Sequence, residues 1–181
     1  MDTEAQIATV KQLIDAVGFE DCGTCPASDL AVRDDVRDMC ASGKCRMYGH
    51  NWACPPAIGG IEKFQKLIDQ RKTCFVVQTV RELEDEFDGE TMMDAEREQK
   101  ARVLKLAKRL AAEGIDALVL AAGTCTICEK CTYPDEPCRH PESRLVSMEA
   151  AGLLVYQVCE AAGIPYNHGP LTIAYTSAVL L

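Results

Sequence analysis

The sequence predicts an α/β fold: a small, partly parallel sheet flanked by helices, with a loop-rich N-terminal cysteine lobe. Three observations predict it. Apolar residues recur at helical spacing in several segments. Short, β-branched apolar runs (CFVVQTV, DALVLAA and LTIAYTSAVL) alternate with those segments along the chain. Between them, Cys22 to Pro56 holds five cysteines and little sustained periodicity.

The first helix is expected from Thr3 to Val17, with Thr3 and Gln6 in a capping-box pattern, Ile7, Val10, Ile14 and Val17 on one face, and Gly18 ending it. VRDDVRDM offers a short helix inside the cysteine lobe, and Ile61, Phe64, Leu67 and Ile68 mark another just beyond it. Cys74–Val80 is a strand candidate. The acidic RELEDEFDGE that follows reads as an exposed loop. Thr91 is placed to cap a long helix to Glu113, with Val103, Leu106, Ala107 and Leu110 inward, and Gly114 stops it. Asp116–Ala122 reads as a second buried strand, Ser147–Ala162 as an almost wholly apolar helix, and the chain closes on a strand. The whole is expected to be a single domain over 1–181, with a cysteine lobe at 22–56 and a cysteine loop at 123–141.

Of the 181 residues, 48% are apolar and 26% charged, ordinary values for a folded protein. The net charge of −9 disfavours nucleic acid and anionic membranes as partners. The apolar runs are too short to span a bilayer, and the acidic start MDTEAQ is unlike a secretory signal, so a cytoplasmic location is expected. Eleven cysteines are therefore the anomaly. In a reducing compartment, and in odd number, they read as metal ligands rather than as a disulfide framework.

The loop GTCTICEKCTYPDEPCRHP spaces Cys125, Cys128, Cys131 and Cys138 as C-x2-C-x2-C-x6-C. Thiolates three apart in a tight turn can reach three corners of an iron–sulfur cube, whereas zinc normally takes two C-x2-C pairs. A [4Fe–4S] cluster is the leading reading, with zinc the alternative. The neighbouring Arg139 and His140 read either as donors to cluster sulfurs or as plain surface charges.

In the N-terminal lobe, two readings stay open. Cys40, Cys45 and Cys54 hold a second cluster, with Cys22 or Cys25 as fourth ligand or with one iron left open. Otherwise Cys22, Cys25, Cys40 and Cys45 form a zinc-ribbon-like site. CGTC also has the spacing of a redox dithiol, but no strand is expected before it. Tyr48, His50 and Trp52, beside Cys54, either shield a cluster or belong to the core, the core being the simpler reading for Trp52. Cys74 and Cys159 read as packing residues. A nucleophile elbow, a phosphate-cradling glycine loop and an H-E-x-x-H helix are all absent. Glu149 is expected in the first turn of the helix after the cysteine loop, complementing its dipole.

The segments CRMYGHNWACPP with Cys40 ahead of it, GTCTICEKCTYPDEPCRHPE, SMEAAG and LTIAYTSAVLL together resemble a cysteine-rich family of predicted metal-binding proteins of unknown function, found largely in anaerobic bacteria and archaea. The resemblance covers roughly residues 40–181. It implies metal binding through Cys40, Cys45, Cys54, Cys125, Cys128, Cys131 and Cys138 and brings no established reaction with it. Three functions stand beside it: electron transfer with a redox protein partner in low-oxygen metabolism, an enzyme with an open iron site, and a zinc-bearing interaction module. The fourth ligand of the N-terminal site separates the first two, and colour separates the third.

Overall fold

In the computed structural model, which describes residues 3–181, helix α1 (Thr3–Val17) leads through Gly18, at φ +85°, into the first strand. The expected cap at Thr3 concerns a side chain outside the described residues. Next come β1 (Asp21–Pro26), a 3-10 turn at Ala27–Asp29, α2 (Asp34–Ala41), α3 (Ile61–Asp69), β2 (Thr73–Glu82) and α4 (Gly89–Ala112). They are followed by β3 (Leu118–Ala121), β4 (Val146–Ser147), α5 (Val155–Ala162) and β5 (Thr172–Leu180).

The five strands form one mixed sheet in the order β1-β2-β5-β3-β4, an α/β fold as expected. Only β3 and β4 pair in parallel; β1–β2, β2–β5 and β5–β3 are antiparallel. The crossover β2–α4–β3 is therefore split, because β5 inserts between its two strands. Strand period sorts the core into two layers. Phe75 and Val77 of β2 face α1 and α4, where Val10, Ile14, Leu106 and Leu110 are buried. Cys74 and Val76 face the other way, toward Phe64, Ile68, Val158 and Cys159. Each fully buried Leu or Phe contributes roughly 1.5–3 kcal/mol before the entropy of ordering it.

Local chemistry explains four departures from the sequence reading. CGTCP is not loop but edge strand: Cys25 stands opposite Cys74, and Pro26 closes the strand where no ladder donor is needed. α4 starts earlier than expected, because the Asp88 carboxylate accepts from the Thr91 backbone N–H at 3.1 Å, making Asp88 the cap rather than Thr91. The acidic connection shrinks accordingly, since Arg81 and Glu82 extend β2 while Gly89 and Glu90 open α4.

The last departure matters most for function. The helix expected over Ser147–Ala162 begins only at Val155, because Ser147 is in β4 and Gly152 sits at φ +94°. The Ser147 hydroxyl accepts from the Ala150 N–H at 3.1 Å and folds SMEAAG into a turn. Glu149 is thus in that turn, not at a helix N-terminus.

Candidate metal centre

The cysteine loop leaves the C-terminal end of β3, the kind of sheet edge where open α/β sheets hold ligands. Cys125, Cys128, Cys131 and Cys138 are all half-buried, and all four line one pocket. The other wall comes from the N-terminal lobe. There the Trp52 backbone N–H donates to Cys131 Sγ at 3.4 Å, and Asn51 Nδ2 donates to the Cys125 carbonyl at 3.0 Å. Asn51 is buried, and its Oδ1 accepts from the Ala53 N–H at 2.8 Å, so one side chain braces both loops. The Trp52 indole donates to the Glu136 carbonyl at 3.0 Å and meets Tyr133 edge to face with centroids 4.8 Å apart. Trp52 belongs to neither apolar core cluster, which corrects the simpler reading of it as core. Tyr48 and His50, by contrast, are exposed.

Arg139 and Arg144 add positive charge to the pocket wall, which His140 also lines, and Arg139 donates to the Lys130 carbonyl at 3.2 Å. Burial pushes the Cys125 thiol up; Cys138, Cys128 and Cys131 add to the rise, while a backbone hydrogen bond from Ile127 opposes it. Four thiolates there repel one another, so a cationic group among them is what lets all four ionise.

Cys40 lies in the last turn of α2, Cys45 follows in the connection after it, and Cys54 lies in the loop behind Trp52. The three influence one another. Burial raises the Cys54 thiol, the Thr124 hydroxyl 3.3 Å away opposes that, and Cys45, Cys40 and Cys125 push it up again. Burial likewise raises Cys40, with Cys45 and Glu149 adding to the rise and Arg37 opposing it. The two cysteine groups therefore adjoin, with Thr124 between Cys54 and Cys125. Among the described residues, no three Cys, His, Asp or Glu side chains are gathered closely enough to hold a single metal ion.

Cys22 is not placed with them. Its thiol, raised by partial burial, has Asp15, Asp21 and Lys11 for neighbours. Cys25 is buried beside Cys74, and that contact together with burial pushes the Cys74 thiol up. Residues three apart on a strand face opposite sides, so Cys22 and Cys25 on β1 do not form a C-x2-C chelate. That corrects both the ribbon and the dithiol readings. Cys159, expected as packing, is buried and accepts from Gln78 Nε2 at 3.5 Å.

Three residues escaped the sequence reading or were misread by it. Asn51 carried no signal beyond its place in NWACPP. The Arg37 Nε and Nη2 atoms and the Glu149 Oε2 atom are buried with no hydrogen-bond partner. A buried polar atom without a partner costs roughly 1–3 kcal/mol.

No curated protein and no solved structure matches the chain. The family model described as predicted metal-binding protein (DUF2284) matches residues 24–181, beginning earlier than the resemblance drawn from the motifs and so taking in Cys25 but not Cys22. By that match over most of its length, the chain belongs to this family of predicted metal-binding proteins.

Proposed function

We propose that this metal-binding protein is an iron–sulfur electron carrier. In this reading Cys125, Cys128, Cys131 and Cys138 hold a [4Fe–4S] cluster, and Cys40, Cys45 and Cys54 serve a second one beside it. The observation that carries it is the shared pocket: four thiols around one space, with a backbone N–H from Trp52 aimed at Cys131 Sγ. Three cysteines at C-x2-C-x2-C suit a cube better than the paired cysteines of zinc sites. A bound cluster supplies one-electron transfer. The chain's own residues set its terms: Trp52 N–H stabilises negative sulfur, Arg139 and Arg144 offset the net anionic charge, and the Trp52–Tyr133 pair restricts water.

The adjacency of the two groups through Thr124 supports a short relay between them. Ile127, 39% exposed at the pocket rim, offers an apolar contact for a docking redox protein. With a net charge of −9, a basic partner is favoured and nucleic acid is not. Among the described residues no helix is long and apolar enough to cross a membrane.

A second reading, an enzyme working at an iron left open by Cys40, Cys45 and Cys54, is favoured by the separate placement of Cys22. The test of the main reading is iron, acid-labile sulfide and zinc per chain after purification without oxygen. About eight iron and eight sulfide are expected. Zinc with no sulfide would overturn the redox assignment and leave a structural metal module.

A further inference from the structure

We infer that the cleft between α4 and the cysteine loop binds a small organic anion with an apolar body. Arg97 and Lys100 hold its carboxylate or phosphate head, and the body lies along Leu104 and Ala121. The inference goes beyond the electron-carrier reading and does not depend on which metal the 125–138 loop holds.

The cleft exists because α4 carries two stripes. Ala95, Gln99, Val103, Leu106 and Leu110 recur at helical spacing and are buried. Met93, Arg97, Lys100 and Leu104 recur at the same spacing on a neighbouring face and line a cleft of about 660 Å³. The cysteine loop at 124–127 lines it too, with Ser143, Leu145 and, from the end of β3, Ala121. Its volume is that of an ordinary small-molecule site, for which roughly 300–1,000 Å³ is usual.

Part of the lining is fixed before any ligand arrives. Lys100 Nζ donates to Glu96 Oε1 at 2.5 Å, and the lysine side chain is only 15% exposed. Gly123 sits at φ +61°, and a Cβ there would stand 2.9 Å from that same Glu96 oxygen. The loop thus enters its cysteine turn pressed against the ion pair, a close approach that the absence of a side chain allows.

Apolar exposure selects the body of the ligand. Met93 and Ile127, 56% and 39% exposed, are large apolar side chains left in water within one cleft. Covering them is favourable for any apolar group that fits. Charge selects the head. Two cations, Arg97 and Lys100, stand against one anion, Glu96, so the lining is locally positive on a chain of net charge −9. Lys100 has three N–H donors and Arg97 five, and Arg97 is otherwise held only by an exposed pair with Asp94. Three residues apart on one helix face, the two can close on a single anionic head. Cys125 and Ile127 line both this cleft and the metal pocket, so a bound molecule touches the back of the loop that carries the candidate metal ligands.

The test is isothermal titration calorimetry of the full-length, metal-loaded protein with octanoate, octyl phosphate and octanol. One saturable site per chain is expected for the anions, ~10-fold or more tighter than for octanol. The tighter of the two anions then assigns the head as carboxylate or phosphate. Arg97→Gln should weaken both anions ~10-fold, and Leu104→Gln should weaken them by a similar factor through the body. Lys105→Gln removes an equal charge from an exposed position of α4 outside the cleft and should bind as wild type does. Absence of saturable binding by either anion, equal affinity for anions and octanol, or equal effects of Arg97→Gln and Lys105→Gln would overturn the proposal. Arg97 is exposed, so its replacement leaves the core intact, and unchanged metal content shows that each variant has folded. Zinc without sulfide in the same samples would overturn the electron-carrier reading and leave the cleft's assignment standing.

Discussion

The Cys54 thiol and the Thr124 hydroxyl share a hydrogen bond of 3.3 Å, and Thr124 is the residue before Cys125. One contact thus joins two cysteine groups that lie 70 residues apart in sequence. When Cys54 is a thiolate, the hydroxyl donates to it and holds its pKa down against burial. Thr124→Val keeps the volume and removes the donor. Metal affinity of the Cys40–Cys45–Cys54 site should then fall ~10–100-fold, and the potential of that centre should move negative. Chelator competition and a redox titration read the two effects. Equal affinity in variant and wild type would mean that the contact is only packing.

Trp52 is the sole tryptophan, so its emission reports on the pocket it walls. Loading the protein with iron and sulfide should quench that emission, and stripping the metal should restore it. Trp52→Ala loses the indole bond to Glu136 and the edge-on contact with Tyr133, together worth about 1–3 kcal/mol. Faster bleaching of the visible absorbance in air is the expected result, and an unchanged rate would remove Trp52 from any shielding role.

Glu20 gives a pH dependence of known sign. Burial pushes its carboxyl up, but hydrogen bonds and charge from Arg102 and Arg81 overcome this and bring it from 4.5 down to about 2. A depressed folded-state pKa means stability that is present above pH 4.5 and lost as the pH falls toward 2. With the side chain 35% exposed, solvent screening reduces the contribution to about 1 kcal/mol. Glu20→Gln should lower the urea midpoint at pH 7, and the gap to wild type should close progressively below pH 4.5. A gap that stayed constant to pH 2 would show that the pairing with Arg81 and Arg102 carries no net stability.

Gly23 lies where α5 crosses β1. A Cβ there would meet the Ala162 carbonyl oxygen at 2.3 Å and Ile164 Cγ2 at 2.7 Å. Because a backbone atom cannot rotate away, Gly23→Ala should force α5 off the sheet and cost about 1–3 kcal/mol. Denaturant unfolding measures this, and iron content at the 125–138 loop serves as a control for the far side of the sheet.

Much of the fold was legible because its signals are local. α1 and α4 follow from apolar residues at helical spacing, and β2 and β5 from β-branched runs that only a doubly covered sheet accommodates. β1 was not legible, because CGTCP has no apolar alternation and owes its extended form to pairing with β2. The first half of the helix expected at Ser147 failed for a similar reason. Its composition is helical, but Gly152 in the left-handed region and the Ser147 hydroxyl divert it, and those choices are enforced by contacts with Val32 and Arg33.

The sequence by itself determined that the chain carries metal-ligating chemistry, since C-x2-C-x2-C is held within one short loop and needs no distant partner to converge. Only the tertiary structure decided what stands around that loop. Trp52 reaches Cys131 across 79 positions, Cys54 reaches Thr124 across 70, and Asn51 reaches Cys125 across 74. It also decided that Cys22 falls among α1 residues and that one carboxylate oxygen of Glu149 is buried without a hydrogen-bond partner. The physical reason is the range of each interaction. Ligand spacing within a loop is set by a few backbone torsions, whereas the shell around it depends on loops that meet only after the sheet has brought its edges together.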